Sequence, residues 1–307
     1  MIKRRRLLSI LAGSAALPLL GANVRASTAP ASWQEPASWK GIALGAQAQI
    51  ILDHENGNEL IEKAVAEIRR LENIFSLYLE NSELAILNRD GKISNPSFEM
   101  LELLSLSSQI NLKTGGAFDP SVQSLWALYA TAYSEGKTVT MEQLARAKYV
   151  TGWQHVDYSS SSISFTRKGV ALTLNGIAQG YIADKIRDLF KRNGVENVLV
   201  NTGEIASIGA APSGKKWRVH LKGERNIDMP LSDGAIATSA PLGTSFDVNG
   251  KVGHILDPKS GKPSGNWQEV SVISKSAALA DGLSTGFAIM SEKQISQAKG
   301  SAEVLLR

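Results

Sequence analysis

Near the end of this 307-residue chain, Asp281, Ser284 and Thr285 stand at positions i, i+3 and i+4. On a helix that spacing brings one carboxylate and two hydroxyls to one face. Hard oxygen donors of this kind suit Mg²⁺ better than zinc or copper. The same residues also suit a capped, solvated helix of small side chains, so the spacing alone leaves both readings open. The chain has no cysteine, which removes thiolate ligands, thiol nucleophiles and disulfides. Its four histidines, His54, His155, His220 and His254, show no metal-ligand spacing.

Two further stretches carry chemical potential. Leu174-Asn175-Gly176-Ile177-Ala178-Gln179-Gly180 runs into a helical pattern. Asn-Gly alone reads as a hairpin turn, whereas a glycine-rich helix entry offers unpaired N–H groups and a positive dipole end to a diphosphate. His254 lies between an apparent strand and the turn 257–261. A lone histidine there is either structural or a proton acceptor that titrates near neutral pH. Gly115-Gly116-Ala117-Phe118-Asp119-Pro120 reads as a helix stop followed by a turn, which is compatible with a binding role.

These segments follow one another in a recognisable order. Ser76-Leu77-Tyr78, Ser82-Glu83-Leu84 with Leu87-Asn88, and Gly115 to Pro120 come first, then Leu174 to Asp184. Ala237-Thr238-Ser239, His254-Ile255-Leu256-Asp257-Pro258 and Ala280-Asp281-Gly282-Leu283-Ser284-Thr285 complete the series. Over residues 41–290 the chain resembles the ApbE family, the FAD:protein FMN transferases. The resemblance implies an α+β fold, a mixed α/β roll with two intertwined lobes around a flavin-nucleotide cleft. It also implies Mg²⁺ bound by Asp281, Thr285 and the Gly176 carbonyl, with Ser284 where some relatives carry a second Asp. Implied FAD contacts are Leu44, Tyr78, Ala117, Phe118, Asp119, Thr173, Gln179 and Ile255, and His254 falls at the acceptor hydroxyl as its base. Three positions depart from the family pattern: Thr173 replaces an acidic residue, Gln179 a Lys or Glu, and Ala240 the usual Gly.

The implied reaction transfers the FMN moiety of FAD to a Ser or Thr hydroxyl of an exported or membrane-bound flavoprotein, with release of AMP. Acceptors of such enzymes resemble Asp-x-x-(Ser/Thr)-Gly-Ala-(Ser/Thr) and are often membrane redox subunits. Two alternatives share the same residues: hydrolysis of FAD to FMN and AMP, and a periplasmic protein that binds FAD without cleaving it.

The elements that must position these groups are partly visible. With 43% hydrophobic and 20% charged residues the chain is globular in composition. Residues 1–26 carry Lys3, Arg4, Arg5 and Arg6 ahead of an apolar run and end on Val24-Arg25-Ala26, the pattern of an export signal of twin-arginine type, with the general secretory route as the other option. The run is shorter than the ~20 residues of a spanning helix, so a periplasmic location is expected, with an uncleaved anchor as the alternative. Removing the signal's five basic residues takes the net charge from +4 to −1 for residues 27–307, which argues against a nucleic-acid partner.

A linker is expected over 27–39 and the folded domain over 40–307. A single strand is expected over 42–51. An amphipathic helix follows, capped by Asn58, with Leu60, Ile61, Ala64, Ile68, Leu71 and Ile74 inward. Further helices are expected over 97–112, over 140–148 with a Thr140/Gln143 capping box, and over 177–193. Strands are expected over 162–166, 170–174, 197–201, 217–221, 269–273 and 302–306. The pattern is α+β without a regular βαβ repeat, and the six tryptophans read as packing groups.

Overall fold

The computed structural model describes residues 36–221 and 227–307. The signal expected over 1–26 and most of the linker expected over 27–39 lie outside the described residues.

The strand expected over 42–51 is instead a hairpin. β1 (Ala37–Ala43) and β2 (Ala46–Leu52) pair antiparallel, with Ala43 opposite Ala46. Between them Leu44 and Gly45 both have positive φ, 46° and 81°, the two-residue turn whose twist matches that of paired strands. Leu44 is an uncommon residue for that conformation. Its N–H donates to Glu72 Oε1 at 2.8 Å, which ties the turn to the next helix.

That helix, α1 (Gly57–Phe75), buries the predicted apolar face, but Asn56 rather than Asn58 stands at its N-cap. α2 (Glu83–Asp90) and α3 (Phe98–Lys113) start at Ser82 and Ser97, whose hydroxyls accept the N–H groups of Ala85 and Met100. α4 (Gln123–Ser134) follows, then α5 (Met141–Val150) with the Thr140/Gln143 capping box in place. α6 (Ala178–Arg192), α7 (Ala277–Phe287) and α8 (Glu292–Ala298) complete the helices described.

A three-stranded sheet joins β3 (Lys92–Ser94), β5 (Ser162–Phe165) and β4 (Val156–Tyr158) in that spatial order. The main sheet adds β6 (Val198–Asn201), β7 (Ile205–Ile208), β10 (Ala235–Ser239), β11 (Val270–Ser274) and β12 (Glu303–Leu306) to the first hairpin. Its order is β1-β2-β6-β7-β10-β11-β12, with antiparallel pairing throughout. β8 (Trp217–Leu221) and β9 (Ile227–Leu231) form a separate hairpin. The α+β class is as expected.

The strand expected over 170–174 has no ladder. The segment is extended, but Asn88 takes the place of a neighbouring strand: its Oδ1 accepts the Leu172 N–H at 2.7 Å and its Nδ2 donates to the Leu172 carbonyl at 2.8 Å.

Apolar side chains gather in three cores. The largest lies between the main sheet and α1, α3, α6 and α7. A smaller one joins α4 and α5 to the long loop after β10, with Phe246 against Trp126 and Tyr129 at ring-centroid distances of 5.3 and 5.5 Å. A third fills the space between the β8–β9 hairpin and the main sheet. Among the described residues, no helix is long and apolar enough to cross a membrane.

Candidate active site

The site begins where α6 and α7 meet. A Cβ on Gly180 would lie 2.2 Å from the Ala277 carbonyl oxygen, so this close approach requires glycine. The contact brings the Gly180 N–H to Asp281 Oδ2 at 3.0 Å. Across from it, Thr285 Oγ1 lies 3.5 Å from the Gly176 carbonyl, and a Cβ on Gly176 would crowd that hydroxyl at 2.7 Å. Ser239, at the end of β10, reaches both helix hydroxyls, with Oγ 2.8 Å from Ser284 Oγ and 3.3 Å from Thr285 Oγ1.

Asp281 is 3% exposed, and burial pushes its carboxyl up to about 7. Its second oxygen receives no hydrogen bond among the described residues. Glu204, just after β6, faces the same cleft and accepts the Thr238 N–H at 3.1 Å. Burial, and then the charge of Asp281, hold the Glu204 carboxyl well above the usual carboxylate range. Among the described residues neither carboxylate has an ion-pair partner. Two carboxylates without a counter-charge, beside a hydroxyl and a carbonyl, fit a hard divalent cation. The described residues hold no cluster of three His, Cys, Asp or Glu groups, so an ion here relies on Thr285 and Gly176 as well as on Asp281.

Ser284 is placed differently from the other expected metal residues. It is fully buried and absent from the cleft wall, and its hydroxyl donates to the Asp281 carbonyl at 3.0 Å. It braces Asp281 and Ser239 from behind.

Tyr78, Ala117, Phe118, Asp119, Thr173, Gln179 and Ile255 all line this cleft. The Asp119 carboxylate is already committed. One oxygen accepts the Ser121 N–H at 2.9 Å and its hydroxyl at 2.7 Å, and the other accepts the Trp153 N–H at 2.9 Å. Its contribution to the wall is therefore backbone and shape, with the carboxyl held up by burial. Thr173 joins the same wall through its N–H to the Pro120 carbonyl at 2.8 Å. Gln179 packs against Gly203, and its carbonyl accepts the Thr202 hydroxyl at 2.8 Å. Leu44 is the exception: its side chain is buried in the main core, and Ala46 and Gln47 present the hairpin to the cleft instead.

His254 lines the same cleft, and its Nδ1 lies 3.1 Å from the Thr244 carbonyl. A carbonyl only accepts, so Nδ1 carries the proton and Nε2 is the basic nitrogen. Burial lowers the ring's proton affinity, against the pull of the Thr244 and Pro241 carbonyls, and keeps it neutral. A Cβ on Gly253 would lie 2.2 Å from the Pro241 oxygen, so a glycine lets the chain fold back beside the histidine.

Glu204, Ser239 as a bridge, and His220 are cleft groups that motif reading does not single out. For Glu204 a signal existed, since Asn201-Thr202-Gly203-Glu204 is a polar run directly after an apolar strand. His220 is 2.8 Å from Asp228 across the β8–β9 hairpin, a pairing that only register reveals.

This α+β roll, with a glycine-rich helix entry facing an oxygen cluster and a neutral histidine, is the fold of the flavin transferases. A flavin transferase ApbE structure from Vibrio cholerae matches with TM-score 0.78 and 26% identity, covering 89% of this chain and 93% of that one. The apo flavinyl transferase ApbE of Pseudomonas stutzeri matches with TM-score 0.78 and 26% identity, over 88% and 90%. An FAD:protein FMN transferase from Chlamydia pneumoniae is 31% identical over 70% of this chain and 71% of its own length. The ApbE family profile matches residues 44–305, and the chain belongs to the ApbE family.

Proposed function

We propose that this flavin transferase moves the FMN moiety of FAD to a Ser or Thr hydroxyl of an exported protein acceptor and releases AMP. The observation that carries the proposal is the pairing across one cleft of a neutral, orientation-locked His254 with the oxygen cluster of Asp281, Thr285 and Gly176.

Asp281, Thr285 and the Gly176 carbonyl would hold Mg²⁺. Bound there, the ion supplies charge neutralisation at the FAD diphosphate. The N–H groups of Ala178 and Gly180 are already bonded to the Leu174 carbonyl and to Asp281, so the Gln179 N–H and the positive end of α6 orient that diphosphate, while the walls formed by Tyr78, Ala117 to Asp119 and Ile255 hold the flavin nucleotide. His254 Nε2 takes the proton of the acceptor hydroxyl as its oxygen attacks the FMN phosphorus. The new P–O bond forms to the acceptor, the P–O bond to the AMP phosphate breaks, and AMP leaves with that oxygen and its electron pair. No residue of this chain is required as a nucleophile, so catalysis rests on positioning and charge.

The export signal read in residues 1–26 supports a periplasmic enzyme whose acceptors face the same side of the membrane, membrane redox subunits among them. The test uses the full chain, FAD, Mg²⁺ and an acceptor carrying the Ser/Thr motif, with intact-mass measurement of the acceptor. An FMN-sized gain that EDTA prevents is the expected result. AMP release with no gain in acceptor mass makes the chain an FAD hydrolase, and retention of intact FAD makes it a binding protein.

A further inference from the structure

Asp184 lies one helical turn beyond Gly180, on the same face of α6, and lines no part of the cleft. Its carboxylate closes the N-terminus of α7. Oδ1 accepts the Ala277 N–H at 2.9 Å, and Oδ2 accepts the Ala278 N–H at 3.0 Å and the Ser276 hydroxyl at 2.7 Å. Arg187, one further turn along α6 on the other side of Asp184, holds Oδ1 at 3.1 Å and donates to the Lys275 carbonyl at 2.9 Å. α6 therefore grips α7 at two points one turn apart: an N–H donor at Gly180 for the Asp281 carboxylate, and a carboxylate at Asp184 for the first N–H groups of α7. The grips are reciprocal in charge and together fix both the slide and the rotation of α7 along α6.

That register has a chemical use. Asp281 and Thr285 ride on α7, whereas Gly176 stands at the entry to α6, so a cation bound by all three spans the joint between the helices. Mg²⁺ demands near-octahedral coordination at about 2.0–2.1 Å, so the spacing of donors carried by two different helices matters to its binding. We propose that Asp184 is a positioning residue for the divalent-cation site, setting the distance between the donors of α7 and the Gly176 carbonyl through its clamp on the N-terminus of α7. This inference rests on the cation reading of the site given above.

The test is Mn²⁺ binding to the full-length chain with FAD present, followed by electron paramagnetic resonance, alongside FAD affinity without metal from flavin fluorescence. Outer partners of metal ligands are typically worth about 10- to 100-fold in affinity. Asp184 acts through α7 and touches no proposed ligand, so Asp184→Ala is expected to lose Mn²⁺ affinity by about 10-fold, the lower end of that range, and Asp184→Asn, which keeps one acceptor oxygen, by less, with metal-free FAD affinity unchanged in both. Circular dichroism confirms that each variant is folded at the assay temperature. Wild-type Mn²⁺ affinity in a folded variant, even one with a lowered melting temperature, overturns the proposal. If Asp184→Ala does not fold, Asp184→Asn decides alone. A wild-type chain that takes up no Mn²⁺ overturns both this inference and the cation reading. Weakened Mn²⁺ binding in the variants of a chain that transfers no FMN supports the clamp and overturns the proposed reaction.

Discussion

At the scale of single residues, the cleft divides its work between a carboxylate kept from pairing and an imidazole kept from protonation. Replacing Asp281 with Ala is expected to abolish EDTA-sensitive FMN transfer as read by acceptor mass. Replacing His254 with Ala removes only the proton acceptor, so transfer is expected to fall about 10²- to 10⁴-fold while FAD binding by fluorescence stays near wild type. Because burial lowers the proton affinity of His254 from its ordinary value of 6.5, the basic form persists to lower pH. The acid limb of transfer contributed by His254 is therefore expected below pH 6.5, whereas the Asp281 carboxyl, pushed up to about 7 in the metal-free cleft, gives a separate limb above it that saturating Mg²⁺ is expected to remove. Glu204→Gln removes a carboxyl whose ionisation is made costly by burial and then by Asp281, but keeps an oxygen for the Thr238 N–H. At neutral pH the metal-free protein is then expected to melt about 2–4 °C higher in calorimetry for each kcal/mol of that cost removed.

At the scale of elements, the joint between α6 and α7 is where sequence and structure agree most closely. Asp281 and Thr285 share a helix face as their spacing requires, and the glycine-rich entry of α6 lies opposite them. Gly180→Ala would push a methyl group into the Ala277 carbonyl, a rigid backbone atom. Overpacking of that kind costs about 1–3 kcal/mol, and a lowered melting temperature together with weaker divalent binding is expected. The cap at Thr140 was legible because a hydroxyl before an apolar period, with Gln143 three residues on, is a local signal, and the start expected at residue 97 falls one residue before that of α3, on its N-cap Ser97. The hairpin at Leu44-Gly45 was not, because leucine is a poor herald of a left-handed turn and the bond that holds it there comes from Glu72, 28 residues away. The extended run over 170–174 carries strand-forming residues, yet its backbone partner is the Asn88 side chain, 84 residues distant, and no periodicity reports such a bond. Glu204 escaped for a related reason, since its significance lies in facing Asp281, 77 residues on along the chain, from the turn between β6 and β7.

At the scale of the whole molecule, ligand and cation should act together. FAD and Mg²⁺ added at 100 times their dissociation constants are expected to stabilise the fold by about 2.7 kcal/mol each by mass action. EDTA should cancel the second increment in a thermal melt and, because the cation neutralises the FAD diphosphate, part of the first. The separate cores carry a further consequence. His254 is held by the loop that packs on α4 and α5, while Asp281 and Thr285 belong to helices of the largest core. A small apolar cluster opens at lower free energy than a large one, so the loop that carries the proton acceptor, whose Phe246 and Leu256 lie in the small core although Ile255 reaches the large one, can loosen ahead of the oxygen cluster. In native-state hydrogen exchange the His254 amide, bonded to the Thr244 and Pro241 carbonyls, should therefore exchange well before the Gly180 amide. The enzyme would lose the ability to deprotonate an acceptor by local opening while its nucleotide-binding half is still closed.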